Sequence, residues 1–366
     1  MEPNKTVTYK IEPRPTRPAT PGDATSGHFR GPFIECPFVS SGKLAVMLMD
    51  WDLVEHARSI KRGWPTASEW RMIPATMDKS WVGERPYWML DHNPAAPDSE
   101  CLQELTERAD LLHLTEHHNW QRFRGLKAGK RIVMMHHSCI YRDNPGQYER
   151  QEVDAGYTRI VSTPDLLLYG TKSYRDTLQW LPLPVDLQEL DTSFPRFGRG
   201  NRREVVVAHG FTVKSNKDPN DDLPRIVGEL QAQQVPIHLD AYTKLTRQMS
   251  LWKIAQADIY FATWLYGPGM ASLEAMALRV PVVLSCSPDE LAIMRERLGT
   301  PLPFVHVTRE NCAKTLRELV NDPALRFEVA EHARAYVERV HDCQTVAEKL
   351  FYYYEHTEPC KEIVLP

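Results

Sequence analysis

The sequence of 366 residues has no long apolar segment. Its longest purely apolar run, Leu44 to Met49, is far shorter than the roughly 20 residues that a membrane-spanning helix needs. The first five residues, Met-Glu-Pro-Asn-Lys, have no apolar core of the kind that a secretory signal requires. We therefore expect a cytoplasmic protein with no integral membrane contact.

Paired cysteines and a strong net charge are also missing. The seven cysteines are scattered singly with no CxxC pair, so the sequence indicates neither a disulfide framework nor a zinc knuckle.

Lysine and arginine (44) nearly balance aspartate and glutamate (48), and a net charge of -4 argues against a surface built as a whole to hold nucleic acid. With 42% hydrophobic residues, a chain of this length is typical of two globular domains.

From Lys43 onward, short apolar runs alternate with amphipathic stretches, which is typical of parallel strands separated by helices. The apolar runs are residues 44–49, 110–114, 131–137, 159–163, 204–210, 237–240, 258–263 and 281–285. Strands with so few polar residues are buried on both faces, so helices must cover both sides of each sheet. The sequence therefore predicts an α/β protein with two doubly wound units.

Composition divides the chain into four parts. Residues 1–32 are rich in proline and read as an extended N-terminal arm, and residues 33–190 and 191–345 form the two α/β domains. Their boundary falls in the polar stretch 187–203. Residues 346–366 form a C-terminal helix and tail with four consecutive aromatic residues, and we expect this segment to pack back toward the N-terminal domain.

A glycine loop followed by a helix carries the most informative motif. The loop Tyr266-Gly-Pro-Gly269 follows the run 258–263, and a helix begins at about Ala271. A helix start of this kind leaves backbone amides unpaired at its positive end, which suits a phosphate. The residues placed to cradle that phosphate are Gly269, Met270, Ala271 and Ser272. Glu274 in the first turn can accept hydrogen bonds from sugar hydroxyls, or it can merely complement the helix dipole.

A basic loop follows the run 204–210. It places Lys214 and Lys217 three residues apart, beyond the carboxyl end of the first strand of the second unit. Two cations at such a strand end can face one pyrophosphate and stabilise the negative charge that grows on a departing nucleoside diphosphate. The alternative interpretation is a solvated lysine loop.

Together these segments resemble the retaining GT-B glycosyltransferases, specifically glycosyltransferase family 4 (glycosyl transferases group 1). SLEAMALRVPVVLS is similar to the C-terminal signature of that family, with Glu274 at the glutamate that contacts the donor ribose. Tyr266 stands where the family has a first glutamate, which contacts the transferred sugar, and Arg279 stands at the usual glycine. In the first half, RIVMMHHSCIYR, IVSTPDLLLYG and WLPLPVDLQEL are similar to a subgroup of the family, so the resemblance covers roughly residues 105–350.

The resemblance implies two Rossmann-like domains facing each other across a cleft, an N-terminal acceptor domain and a C-terminal donor domain. It also implies an enzyme that transfers a hexose from a UDP-, GDP- or ADP-sugar to a hydroxyl acceptor, with retention and with neither metal nor cofactor. A saccharide is the acceptor we expect. The implied catalytic residues are His137, Lys217 and Glu274. The other implied contacts of the donor sugar and nucleotide are Gly210, Phe211, Thr212 and Tyr266. The acceptor-side candidates are Asp50, Asp52, His136, Ser138 and Arg142.

Several of these residues also have other interpretations. His137 follows a predicted parallel strand, so it can face the ligand crevice and move a proton, or it can be structural. Asp50-Trp51-Asp52 could hold Mg²⁺ or Mn²⁺ on donor phosphates, or Asp52 could cap a helix. The cluster at 113–118 has metal-ligand residue types but lacks the helical spacing of a zinc site.

Two alternative functions stay open. A hydroxymethylated DNA base could be the acceptor, as for phage-type base glucosyltransferases; the basic arm and the tryptophans at 64, 70, 81 and 88 permit this, and the net charge disfavours it. The chain could also be a non-catalytic protein that binds a nucleotide sugar or a glycan, because Tyr266 replaces a carboxylate.

Overall fold

Two parallel sheets organise the protein. The structure, a computed structural model, describes residues 43–49, 56–64, 70–76, 106–115, 129–137, 141–142, 144–194, 202–211 and 218–359. Within these residues every strand pair is parallel. The predicted α/β class with two doubly wound units is therefore confirmed.

The first sheet has six strands in the order β2-β1-β3-β4-β5-β6. Its strands are β1 (Lys43–Met49), β2 (Trp70–Thr76), β3 (Leu111–Thr115), β4 (Arg131–His136), β5 (Thr158–Val161) and β6 (Leu178–Trp180). All five residues of β3 are buried, as an apolar run in the middle of a covered sheet requires.

The second sheet has five strands in the order β11-β10-β9-β7-β8. Its strands are β7 (Val205–Phe211), β8 (Ile237–Thr243), β9 (Ile259–Phe261), β10 (Val282–Leu284) and β11 (Val305–His306). Successive residues of β9 alternate between two cores, with Ile259 and Phe261 on one face and Tyr260 on the other. Both faces of this sheet are thus covered by helices.

Ten helices lie between or after these strands in the described part of the chain. They are α1 (His56–Gly63), α2 (Gly146–Ala155), α3 (Leu187–Ser193), α4 (Asp222–Ala232), α5 (Arg247–Gln256), α6 (Met270–Ala277), α7 (Pro288–Leu298), α8 (Cys312–Asn321), α9 (Pro323–Val340) and α10 (Cys343–His356). Side chains cap several of their first turns, as Thr246 does for α5 and Ser287, in a capping box, for α7. None of the described helices is both long and apolar enough to cross a lipid bilayer.

The last helix, α10, packs on the first sheet. Tyr354 is fully buried there, and its hydroxyl is hydrogen-bonded to Nδ1 of His113 at 2.8 Å. Burial and the nearby His137 lower the pKa of His113 to about 3, so this ring is neutral in the folded protein. His113 is therefore part of the core, and the rest of the cluster at 113–118 beyond Thr115 lies outside the described residues.

Two of the tryptophans at issue in the DNA alternative belong to the same core. Trp70 is buried, and Trp64 is half-buried against the rings of Phe351 and Tyr354. These two indoles offer no stacking platform to a base or a sugar in this structure. Trp81 and Trp88 lie outside the described residues.

Two chain segments connect the sheets, and they are hydrogen-bonded to each other. The amide of Val185 donates to the carbonyl of His341 at 2.7 Å, and the amide of Cys343 donates to the carbonyl of Val185 at 3.1 Å. The ring of His341 is buried here: Nδ1 donates to Leu183 O at 2.8 Å, and Nε2 accepts from the Tyr336 hydroxyl at 3.0 Å. Burial lowers the pKa of His341 to about 4.

The lowered pKa makes stability depend on pH. In the unfolded chain His341 takes up a proton below its ordinary pKa of 6.5, whereas the folded state resists protonation down to about 4. The contribution of His341 is therefore complete above pH 6.5 and decreases as the pH falls toward 4. Between pH 7.5 and pH 5 we expect this group alone to reduce the free energy of unfolding by about 2 kcal/mol.

Urea unfolding of the parent and of His341→Gln at both pH values measures the contribution of His341 to the pH dependence of the free energy of unfolding. The fall in the free energy of unfolding between the two pH values should be smaller in His341→Gln than in the parent. His356→Gln, at an exposed histidine of α10, is the matched control and should keep the parental fall. An equal fall in His341→Gln and the parent would contradict the assignment.

Candidate functional site

The predicted donor residues that the structure describes lie at the carboxyl edge of the second sheet. Gly210 and Phe211 end β7, and the loop that contains Tyr266 follows β9 and leads into α6. Because the strands are parallel, the loops after β7, β8 and β9 open at the same edge. Thr212, Lys214 and Lys217 come directly after Phe211 in the chain and lie outside the described residues.

The glycines in these loops differ in how closely they are packed. A Cβ on Gly210 would lie 2.6 Å from the Tyr242 ring, and a Cβ on Gly267 would lie 1.9 Å from the terminal methyl of Met294. Among the residues that the structure describes, none lies within 4 Å of a Cβ on Gly269. The loop before α6 is therefore pressed against α7 at Gly267 and open at Gly269.

The start of α6 presents backbone amides at this edge. Gly269 is the N-cap residue, and the amides of Ser272 and Leu273 already donate to its carbonyl at 2.9 and 3.1 Å. The amides of Gly269, Met270 and Ala271 are the ones at the positive end of the helix that no turn of α6 can satisfy. Of the four predicted cradle residues, Ser272 is thus the one whose amide is engaged within the helix.

Glu274 is buried in the first turns of α6, with 5% of its surface exposed. Its Oε1 accepts a hydrogen bond from Nε of Arg247 at 2.8 Å. Arg247 is the first residue of α5, placed by the Thr246 cap at the end of the loop after β8. A buried carboxylate at a ligand edge is thus held by a cation that comes from the neighbouring loop.

The ion pair continues into a longer row of alternating charges. Nη1 of Arg247 lies 3.3 Å from Oε1 of Glu189 on α3, and Nη1 of Arg62 on α1 lies 3.6 Å from Oε2 of Glu189. Arg62 also contacts Asp186, the N-cap of α3. We call Arg62, Asp186, Glu189, Arg247 and Glu274 the charge row. The charge row runs from α1 in the first half, along α3 after the first sheet, to α5 and α6 in the second half.

Arg142 joins the first half to the loop before α6. Its Nε and Nη2 donate to Oδ2 of Asp165 at 3.0 and 2.6 Å, and its guanidinium lies 4.5 Å from the centre of the Tyr266 ring. Asp165 is fully buried, and in the described part of the chain its Oδ1 has no hydrogen-bond partner. Arg142, which we predicted on the acceptor side, is therefore engaged with Asp165 and with the loop of the second half.

Tyr169 makes a second contact between the halves. Its hydroxyl donates to Oε1 of Glu290 at 3.1 Å, and Glu290 in turn completes the capping box at the start of α7. Burial, together with Glu290, raises the pKa of Tyr169 to about 12, so the hydroxyl keeps its proton at neutral pH. Asp165, the partner of Arg142, lies in the first turn of the short 3₁₀ helix Pro164–Leu168, and Tyr169 directly follows that helix.

The two neighbouring histidines at the end of β4 have different environments. His136 is buried, its ring is stacked on Tyr141 at 4.2 Å, and its Nε2 lies 3.4 Å from Glu152. His137 follows β4 and is half-buried, and its carbonyl accepts from the Ser162 hydroxyl at 3.5 Å. The placement of His136 favours a structural role over the acceptor role that we predicted, whereas His137 stays at the strand end.

A buried ionic network surrounds His136. Arg159 donates to Glu152 at 2.7 Å and to Glu149 at 2.9 Å, and the Tyr141 hydroxyl donates to Glu149 at 3.0 Å. Burial alone would raise the pKa of Glu149, but the hydrogen bonds from the Thr171 amide and from Arg159 lower it below its usual range. The network therefore fixes the His136 ring at the carboxyl end of β4. The remaining acceptor candidates, Asp50, Asp52 and Ser138, lie outside the described residues.

Solved structures with a similar fold are known. HepE of Anabaena in complex with UDP and glucose is 11% identical, with a TM-score of 0.57 over 86% of this chain and 99% of that chain. Sucrose-phosphate synthase of Thermosynechococcus elongatus is 13% identical, with a TM-score of 0.52 over 86% and 98%. A trehalose-6-phosphate synthase, studied for glycosyltransfer with retention, is 11% identical, with a TM-score of 0.58 over 86% and 99%.

The chain has the GT-B fold. The sequence itself matches no family model and no curated protein. At these identities the likeness concerns the GT-B fold alone. The roles of individual residues must therefore be argued from this chain's own contacts.

Sequence reasoning missed Arg247, Glu189, Asp165 and Tyr169. Arg247 could have been found, because it follows the predicted strand 237–240 and a Thr-Arg pair at a helix start places a cation at the carboxyl edge. No local signal marks Asp165 or Glu189, whose partners come from other elements of the GT-B fold.

The close packing of Gly267 predicts a specific stability difference within one loop. Gly267→Ala should lower the free energy of unfolding by about 1–3 kcal/mol, because the added methyl forces Met294 to move. Gly269→Ala, two residues away with an extended backbone and open space, should change it by less than about 1 kcal/mol. Urea unfolding of the two variants measures both values, and equal destabilisation would show that the packing against Met294 is not the cause.

Proposed function

We propose that the protein is a glycosyltransferase that moves a hexose from a nucleoside diphosphate sugar to a hydroxyl acceptor. The observation that carries the proposal is Glu274, a buried carboxylate that lies one turn beyond the open amides of Gly269, Met270 and Ala271. Backbone amides that can bind a phosphate, next to a carboxylate that can bind hydroxyls, match a ligand in which a diphosphate is attached to a ribose. The GT-B fold adds support, because HepE, one of the similar structures, was solved with UDP and glucose.

The diphosphate is the part of the donor on which charge grows during transfer. The amides at the start of α6 would bind one phosphate, and Lys214 and Lys217 would supply the cations that neutralise the pair. With two lysines and a helix end in these roles, the proposal needs no divalent metal and no cofactor. The Asp50-Trp51-Asp52 alternative needs one, so chelation distinguishes the two.

The ribose and the transferred sugar would lie on either side of the diphosphate. Glu274 would accept hydrogen bonds from the ribose hydroxyls, and Gly210, Phe211, Thr212 and Tyr266 would contact the nucleotide and the sugar. During transfer the bond from the anomeric carbon to the diphosphate oxygen breaks, and a bond to the acceptor oxygen forms on the same face of the sugar. His137 would contact the donor sugar or the acceptor hydroxyl, whose proton must leave.

A saccharide is the acceptor that we propose. The alternatives make different predictions that are simple to measure. Binding of a hydroxymethylated DNA acceptor would weaken steeply with salt, because it would depend on phosphate contacts. A non-catalytic nucleotide-sugar binder would neither transfer nor hydrolyse the sugar.

Thermal shift with UDP, GDP, ADP and their common sugars, with and without EDTA, is the first test. We expect one of the three nucleotides to raise the melting temperature and EDTA to leave that shift unchanged. A shift that requires metal would move the chemistry to Asp50 and Asp52. No shift with any donor would contradict the proposed donor site.

Substitutions in the site give a second prediction. Glu274→Ala and Lys217→Ala should each weaken nucleoside diphosphate binding by about 10-fold or more, because each removes a charge-assisted hydrogen bond. The matched controls, at exposed positions in the same half, are Glu229→Ala and Lys314→Ala. Calorimetric titration with UDP, GDP and ADP measures the affinities, and parental binding by either site variant would show that the site is misplaced.

Retention can be tested on the product. We expect the new glycosidic bond to have the anomeric configuration of the donor, as read from the proton coupling at the anomeric carbon by NMR. An inverted product would contradict retention and leave the donor site unaffected.

A further inference from the structure

Arg247 lies where three helices of the described structure meet. It begins α5, it donates through Nε to Glu274 on α6, and its Nη1 is 3.3 Å from Glu189 on α3. Its side chain is 21% exposed and that of Glu274 is 7% exposed. A guanidinium with two carboxylates on two of its nitrogens has a fixed plane, so its direction is determined by both partners.

This geometry controls how Glu274 faces a ligand. The hydrogen bond from Nε to Oε1 orients the carboxylate plane, and a carboxylate can accept from two ribose hydroxyls only when that plane faces them. Burial and, to a smaller extent, the charge of Glu274 raise the pKa values of Tyr242 on β8 and Tyr260 on β9. Neither carries a positive charge, so Arg247 is the cation that the contacts above assign to this carboxylate.

Glu189 ties the same arginine to the connection between the sheets. It lies on α3, directly after the segment that crosses from the first sheet to the second, and it also faces Arg62 of α1 at 3.6 Å. In the described contacts, Arg247 therefore links Glu189 to Glu274. The charge row thus gives a physical route from the first half of the chain to the carboxylate of the candidate site.

We propose that Arg247 is a positioning residue for nucleotide recognition, which orients Glu274 and is itself held by Glu189 of the connecting helix. The inference rests on the proposed function, because it requires Glu274 to bind the donor nucleotide. It assigns no contact with the reacting atoms to Arg247. Its effect should therefore appear in donor binding more than in the chemical step.

Helix α5 supplies a matched control pair. Lys253 is on the same helix and forms an ion pair with Asp240 at 2.7 Å, with side-chain exposures of 27% and 29%. The described contacts of Lys253 are with Asp240 and, at 5.5 Å, with the Tyr242 ring, and they include neither α6 nor Glu189. A difference between the two positions therefore reports the contact with Glu274 and not the stability of the helix.

The experiment compares the parent with Arg247→Gln, Arg247→Lys, Glu189→Gln and Lys253→Gln. UDP, GDP and ADP are titrated calorimetrically, and KM and kcat are measured for hydrolysis or transfer of the matching sugar donors. For Arg247→Gln we expect the Kd of the bound nucleotide and the donor KM to rise by about 10-fold or more, with kcat within about 3-fold of the parent. Arg247→Lys should recover part of the affinity, Glu189→Gln should lose about 2- to 5-fold, and Lys253→Gln should bind as the parent does.

A double-mutant cycle separates orientation from a direct contact. If Arg247 acts through Glu274, Arg247→Gln should cost little further affinity once Glu274→Gln is in place. Lys253→Gln should leave the nucleotide affinity unchanged both in the parent and in Glu274→Gln. Full additivity of Arg247→Gln and Glu274→Gln would overturn the positioning role.

The outcomes separate the inference from the proposed function. If the parent binds none of the three nucleotides, both are overturned. If the parent binds one and needs Glu274, but Arg247→Gln binds equally well, only the inference is overturned. Should Arg247→Gln fail to fold, Arg247→Lys and Glu189→Gln decide the question, and parental affinity in both would overturn it. An equal loss in Lys253→Gln would assign the effect to α5 as a whole and overturn it too.

Discussion

Parallel strand pairing is the constraint on which the rest of this structure depends. Because all strands of a sheet point the same way, the loops at their carboxyl ends open together, and the opposite edge carries only connections. Residues far apart in the chain then become neighbours. Glu274 lies in the helix that follows β9, and Arg247 begins the helix that follows β8, yet Nε of Arg247 lies 2.8 Å from Oε1 of Glu274. The candidate site is thus built from the loops at the carboxyl ends of the strands and from the first turns of the helices that follow them.

Most of the fold follows from the position of apolar runs, because a strand covered on both faces has almost no polar residues. All eight apolar runs in the sequence became strands. The strands that sequence reasoning missed are β2, β6 and β11. The last two have three and two residues, too few for any periodicity to be visible. Strand β2 contains Pro74, and a proline in a sequence usually indicates a turn. In the structure this proline is tolerated because β2 is at the edge of the sheet.

The site was predictable only where its signal is local. Glu274 could be proposed from the sequence because a loop, a helix start and a carboxylate follow one another over the nine residues from Tyr266 to Glu274. Arg247 and Asp165 have partners 27 and 23 residues away, and only the packing of the helices brings them together. His136 and His137 show a further reason: His136 is the last residue of β4 and is buried, whereas His137 follows the strand and is half-buried. The pattern of the sequence does not say which of the two is buried.

The segments that connect the sheets have a mechanical consequence. The chain passes from the first sheet to the second near Val185 and returns near His341, and the two passages are hydrogen-bonded side by side. A pair of adjacent, mutually bonded strands resists stretching and sliding far more than it resists twisting. We therefore expect any movement of one half against the other to be mainly a swing about a line through Val185. Groups far from that line would travel furthest, and His341, buried beside it, would hardly move.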